Sequence, residues 1–196
     1  MSWDLNDDNF NVKEGGNKVF NGGVAGVVEN CSASVTKKAD GDHERAPDYK
    51  VMVADSEGRT LDIGFWYPDA EVESDADKKR KYGAKLGHVA RCFMGQDFKF
   101  PQYNSGKEML DGIMATLRPV APKVPVRVLT TYGTSMGVKN YPIIRNYPRF
   151  IEPMSVNLDD SKLAPSSIDL MERPSADNEQ SAVTTTAAAS TDDGWD

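Results

Sequence analysis

The chain has 196 residues, enough for one domain of ordinary size with extensions at its ends. Its composition is 39% hydrophobic and 27% charged, and no apolar run approaches the ~20 residues that a membrane-spanning helix needs. These values exclude an integral membrane protein, and the two cysteines, Cys31 and Cys92, are too few for a disulfide-rich scaffold. Because the first residues also lack a signal-peptide pattern, the sequence predicts a soluble intracellular protein.

Charge is distributed in three blocks along the chain. Residues 1–77 hold 7 Lys and Arg against 17 Asp and Glu, a net charge of −10, and residues 78–155 hold 14 against 4, a net charge of +10. Residues 156–196 hold 2 against 9, a net charge of −7. Ligands respond to the potential within about one Debye length, ~10 Å, so the basic block predicts an anionic ligand despite a pI near 4.9.

The first part of the chain predicts an antiparallel meander. An Asn/Asp/Gly-rich arm over residues 1–18 precedes a long or broken strand from Val24 to Val35. A second strand follows over Tyr49–Ala54, then a tight turn, then a third strand over Thr60–Tyr67 that Pro68 ends. Three successive strands with short turns pair most simply as neighbours.

Helices are predicted next. Asp75 or Asp77 can cap a helix whose apolar stripe runs from Tyr82 to Phe93. Ser105 and Glu108 form a capping box that begins a second helix.

Strands return over Val124–Tyr132 and Val138–Ile151, and from Val156 the composition becomes that of a disordered acidic tail. The chain therefore divides into the arm, a folded domain over 19–155 and a tail over 156–196. Three strands, helices and two more strands is the order of an OB-fold, a five-stranded Greek-key β-barrel, so the predicted fold is mainly β with inserted helices. A generic small α+β domain shares this order.

Cations and aromatic rings alternate through the basic block. Single-stranded nucleic acid offers phosphates to cations and bases to aromatic platforms. On this ground the candidate binding residues are Trp66, Lys79, Arg80, Lys99, Phe100, Tyr103, Arg127, Tyr132, Lys139, Tyr141, Arg145, Tyr147 and Arg149. Two alternatives stay open: Trp66 is equally a core tryptophan, and the run that contains Lys79 and Arg80 is equally a solvated helix start.

Catalytic and metal sites are not expected. His88 and Cys92 have helical i, i+4 spacing, but the sequence has no CxxC or HxxxH pair. No phosphate-binding glycine loop and no Gly-x-Ser-x-Gly elbow is present. We therefore expect a non-enzyme that needs no cofactor and no metal.

In outline, most of the chain resembles the single-stranded-DNA-binding proteins of bacteriophages. This resemblance rests on the opening Met1-Ser2-Trp3-Asp4-Leu5, a glycine-rich arm, a first strand at Val24–Val35, the hairpin, the helical insert, the strands from Val124 to Ile151 and the ending Asp-Asp-Gly-Trp-Asp. It implies an OB-fold protein that coats single-stranded DNA in phage replication, recombination and repair, in the cytoplasm of the infected bacterial cell.

The acidic tail is similar to those by which such proteins recruit replication partners, a polymerase or a helicase-primase. On that analogy Trp195 is the anchor, framed by Asp192, Asp193 and Asp196, although Asp196 follows the aromatic residue here. A homodimer is a further possibility. The competing hypothesis is a non-catalytic adaptor that binds a protein partner through its tail, and RNA is the nearest alternative ligand.

Overall fold

Six strands form one antiparallel sheet in this computed structural model, which describes residues 19–39, 41–134, 137–145 and 149–174. The strands are β1 (Gly26–Lys37), β2 (Tyr49–Ala54), β3 (Thr60–Phe65), β4 (Val126–Thr134), β5 (Gly137–Ile144) and β6 (Ile151–Pro153). The sheet runs in the order β3-β2-β1-β4-β5, and β6 pairs with the first residues of β4. The mainly β architecture is thus as predicted.

Alternating side chains decide which face of the first three strands is buried. In β1, Cys31, Ala33 and Val35 are buried while the residues between them are exposed. In β2, Val51 and Val53 are fully buried. Because successive side chains in a strand point to opposite sides, β1, β2 and β3 have one face in the core and one in solvent.

Three helices lie between β3 and β4: α1 (Ala70–Ser74), α2 (Ala76–Met94) and α3 (Gly106–Leu117). The Asp75 side chain caps α2 by accepting hydrogen bonds from two backbone N–H groups, and the Ser105 hydroxyl caps α3 by accepting one from Glu108. The two predicted helix starts are therefore confirmed, but the capping box is only half formed, because the Glu108 side chain accepts from the Asn104 backbone N–H instead of that of Ser105. Both helices bury an apolar stripe in the same core as the sheet.

The chain stays packed beyond the predicted domain end at residue 155. Residues 156–174 are described, Leu163 is buried, and the Leu170 backbone exchanges hydrogen bonds with β4: Tyr132 N donates to Leu170 O over 2.9 Å, and Leu170 N donates to Gly133 O over 3.2 Å. The tail predicted over 156–196 therefore does not begin at 156. The large apolar residues of 156–174 are hidden in an average over 156–196 that is dominated by Asp, Ser, Ala and Thr.

The predicted arm, residues 1–18, and the chain after Pro174 lie outside the described residues. Among the helices that are described, none has the length and apolar character that crossing a bilayer requires.

Candidate nucleic-acid interface

The solvent side of β1, β2 and β3, here called the outer face, carries the best-defined candidate for a ligand surface. Strand register places Thr36, Lys50 and Gly64 in one row across it and Ser34, Met52 and Asp62 in the next. None of these six residues belongs to the buried core.

Trp66 continues β3 onto the outer face and is 50% exposed. Its ring lies against Gly64, where a Cβ atom would come within 3.0 Å of the Trp66 ring and 3.2 Å of Pro47. Its indole N–H donates to the Arg45 carbonyl oxygen over 3.2 Å. The absence of a side chain at Gly64 thus lets the indole lie close to the strand with half of its surface in solvent.

Helix α2 supports this end of β3 from the other side. The Tyr82 hydroxyl donates to the Trp66 carbonyl oxygen over 2.9 Å, and Lys85 Nζ donates to the Gly64 carbonyl oxygen over 3.0 Å. Lys85 also lies over the Phe65 ring, 4.9 Å from its centroid, and burial lowers the pKa of its ammonium group. The backbone that carries Trp66 is therefore fixed by two side chains of the helix.

Three lysines line a cavity next to Pro47, which neighbours Trp66 at Gly64. The cavity has a volume of about 300 Å³ and is lined by Lys37, Lys38 and Lys50, together with Asp42 and Asp62, and Lys50 is paired with Asp62 over 3.0 Å. The Arg45 side chain is exposed in the β1–β2 loop. The prediction missed these cations because they belong to the acidic first block; the available signal was strand parity, which puts Lys50 on the same face as Trp66.

A second group of predicted residues lies around α2 and α3. Lys79, Arg80 and Lys99 are exposed, but the two aromatic rings are packed. The Arg91 guanidinium covers the Phe100 ring at 4.8 Å, and Tyr103 lies so close to Gly112 that a Cβ there would come within 2.8 Å of its ring. In this group the cations thus face solvent, while the rings of Phe100 and Tyr103 pack against other residues of the fold.

Arg127 and Tyr132 on β4 are buried, contrary to the exposed placement expected for ligand contacts. Arg127 is 2% exposed, and its guanidinium lies 3.3 Å from Glu152 and 3.5 Å from Glu29 and donates to the Val156 carbonyl oxygen. Tyr132 is 4% exposed, and its hydroxyl donates to the Gly23 carbonyl oxygen over 2.7 Å. Alternation predicts that Arg127 points away from Val126 and Val128 into solvent, but the chain at Val156 covers that side of β4.

Arg145 is also used inside the fold. Its side chain is 11% exposed and lies 3.0 Å from the carboxylate of Asp169, which is fully buried. It also donates to Ser166 and to the Ala164 carbonyl oxygen. Arg145 thus fastens the segment that follows β6 to the sheet.

Lys139, Tyr141 and Arg149 are exposed, Tyr141 to 51%. The remaining predicted site residues lie outside the described part of the chain: Tyr147, Asp192, Asp193, Trp195 and Asp196.

No group of three or more His, Cys, Asp and Glu side chains in the described residues is arranged to hold a metal ion. Burial, with a smaller effect of Asp55, raises the pKa of the Cys31 thiol to about 11, and burial also raises the pKa of Cys92. Both thiols are therefore protonated and unreactive at neutral pH.

No protein-family model, no curated protein and no solved structure matches the chain.

Proposed function

We propose that the protein binds single-stranded DNA without sequence preference and coats it, with the outer face as the binding surface. The observation that carries the proposal is the Trp66 indole, half exposed and oriented by Gly64 and the Arg45 carbonyl. A stacked base gains about 1–3 kcal/mol from such a ring, and every base has a π-face. A platform of this kind binds any sequence.

Cations on the β1–β2 loop support phosphate contacts. Lys38 and Arg45 lie on that loop, whose Arg45 carbonyl oxygen accepts the hydrogen bond of the Trp66 indole. Lys50 lies on β2 beside Gly64, where it is paired with Asp62 over 3.0 Å. Neutralising phosphates releases condensed counterions, so binding should weaken as salt rises.

An OB-fold is the architecture in this proposal. It is supported by the sheet order, by the helices between β3 and β4, and by Cα atoms of β3 and β5 that lie within 8 Å of each other. In OB-folds the surface of strands 2 and 3 and the adjacent loops bind oligonucleotides. The outer face of this chain occupies the same position.

The protein acts without catalysis in this proposal, and its acidic C-terminal residues recruit replication proteins. Trp195 is the hydrophobic anchor, and the three aspartates beside it direct it to basic surfaces. Replication, recombination and repair of phage DNA are the processes in which such coating is needed.

The test is fluorescence anisotropy of labelled oligo(dT), oligo(U) and a duplex, each at low and high salt. We expect tight, salt-weakened binding to oligo(dT), weak duplex binding, and an affinity about 5- to 150-fold lower for Trp66→Ala. Trp66→Phe should retain most of the affinity, and Leu158→Ala, a change at a 68% exposed apolar residue elsewhere, should retain all of it. Equal binding by Trp66→Ala and the unaltered protein would reject the outer face as the surface, and stronger binding to oligo(U) would make RNA the ligand.

A further inference from the structure

A groove lies between α2 and α3, apart from the outer face. Its volume is about 260 Å³, and the loop that contains Phe100 and Tyr103 forms one wall. Leu86, Met109 and Ile113 form an aliphatic floor. The groove is slightly smaller than the roughly 300–1,000 Å³ of pockets for drug-sized ligands, which suits a single large side chain.

The α2 side of the groove is open because Gly83 and Gly87 have no side chains. A Cβ atom at Gly83 would have no atom within 4 Å, so no described neighbour requires glycine there. Each glycine within a helix costs about 1 kcal/mol relative to alanine. The chain thus keeps a destabilising residue at a place where internal packing does not need it, and the result is an open groove.

The aromatic residues of the wall do not offer free faces to a nucleic-acid base. Arg91 covers the face of Phe100 at 4.8 Å, and the edge-on ring of Phe98 lies 5.0 Å away. Tyr103 is packed on Gly112. The groove therefore favours an inserted side chain over a stacked base.

The charge around the groove indicates which kind of side chain it accepts. The lining of the groove includes one cation, Arg91, and no acid, and Lys99 is exposed beside it. Lys79 and Arg80 lie one helical turn before Gly83 and are also exposed. An acidic segment with one large aromatic residue is complementary to an apolar floor with this basic rim.

We infer that the groove receives the Trp195 indole of the chain's own C-terminal segment. Residues 175–196 contain five acids and no Lys or Arg, and three of the acids lie within three residues of Trp195. Fully extended, these residues span roughly 70 Å, more than the diameter of a domain of this size, about 40 Å. The segment can therefore reach the groove from Pro174 whatever its path.

Docking there places Trp195 on a surface other than the outer face. A protein partner that binds Trp195 must compete with the groove for it, so docking lowers the apparent affinity of the chain for that partner. The inference does not depend on the proposed function, since neither the groove nor the segment needs DNA to meet.

The test uses the indole N–H signals in the ¹⁵N NMR spectrum of the full chain without nucleic acid, assigned by replacing each tryptophan with phenylalanine. Gly83→Leu fills the groove with a better helix former, so folding is expected to survive, and dispersed backbone amides will verify it. Ala84→Leu is the matched control, because Ala84 is exposed on the same helix and does not line the groove. A synthetic peptide of residues 175–196 gives the position of the undocked Trp195 signal.

We expect the Trp195 signal of the unaltered protein to differ from that of the peptide. It should move to the peptide position in Gly83→Leu and stay in place in Ala84→Leu. A Trp195 signal that already matches the peptide, or that ignores Gly83→Leu, overturns the inference. If the indole signal of Trp3 moves in Gly83→Leu instead, the groove binds the N-terminal arm. If the Trp195 signal moves to the peptide position on dilution, the docking is between copies of the chain. Either result rejects docking of Trp195 within one chain.

Discussion

Replacing Gly64 with alanine tests the orientation of Trp66 without touching its ring. The backbone of Gly64 has no positive φ, so alanine fits the strand conformation. The added methyl group, however, would lie 3.0 and 3.1 Å from two carbons of the Trp66 ring and 3.2 Å from Pro47. Carbon atoms at optimal separation lie about 3.5–4.0 Å apart, so the ring has to move.

The required displacement is roughly 0.5 Å, because the shortfalls run from about 0.3 to 1 Å. It breaks the hydrogen bond from the indole to the Arg45 carbonyl oxygen, which is already 3.2 Å long. If the ring loses its stacking geometry, the affinity for single-stranded DNA falls by up to the full stacking contribution, about 1–3 kcal/mol, or about 5- to 150-fold. Overpacking typically costs about 1–3 kcal/mol of folding free energy, a cost that is measured separately from DNA affinity.

Oligo(dT) anisotropy measures the affinity, and urea denaturation measures the free energy of unfolding. Gly83→Ala is the control, since it is the same substitution at a place where the methyl group meets nothing within 4 Å. Gly83→Ala should bind DNA as the unaltered protein does. If Gly64→Ala also binds normally while remaining folded, the indole is not a platform held by Gly64, and the reasoning fails.

Two further predictions concern ion pairs in the fold. Burial raises the pKa of Asp55, but hydrogen bonds from Asn21, Arg59 and Glu57 outweigh it and hold that pKa below its ordinary value. The stabilisation by ionised Asp55 is complete above about pH 4 and is lost as pH falls through the folded-state pKa. Asp55→Asn should therefore lower the free energy of unfolding, measured by urea denaturation, by about 2–4 kcal/mol at pH 7 and by clearly less at pH 3. An equal loss at both pH values would contradict this role of Asp55. Arg145→Ala leaves the carboxylate of Asp169 buried without its cation, which costs about 3–5 kcal/mol of stability. Residues 156–174 should then become open to trypsin at Lys162, and adding Asp169→Asn should restore resistance to cleavage. Unchanged cleavage of Arg145→Ala would show that the ion pair does not hold this segment on the sheet.

The elements of the first two-thirds of the fold could be predicted because their signals are local. Alternation in Tyr49–Ala54 and the side-chain caps Asp75 and Ser105 act within a few residues, and the structure has each of them where the sequence indicates. The order of the strands in the sheet is a different kind of property. It depends on pairing between strands that are far apart in the chain, such as β1 with β4, which no local pattern contains.

Strand parity predicted solvent exposure for Arg127, and that prediction is wrong, since Arg127 is 2% exposed. Parity predicts which face a side chain shares, but it does not predict what covers that face. On β3 the face of Trp66 is left open by the chain that follows. On β4 the residues around Val156 and Leu163 return to cover the corresponding side, so Arg127 meets Glu29 and Glu152 instead of solvent.

Net charge along the sequence is a poor guide to potential on the surface for a related reason. Of the cations in the basic block, Arg127 and Arg145 are neutralised by carboxylates, and Lys85 and Arg91 lie over aromatic rings. Lys50, from the acidic block, lies beside Gly64 through strand pairing, and it too is neutralised, by Asp62 over 3.0 Å. An anionic ligand responds to the cations and acids that the fold gathers within a Debye length, so the sum of charges over a block of sequence does not give the potential at the surface.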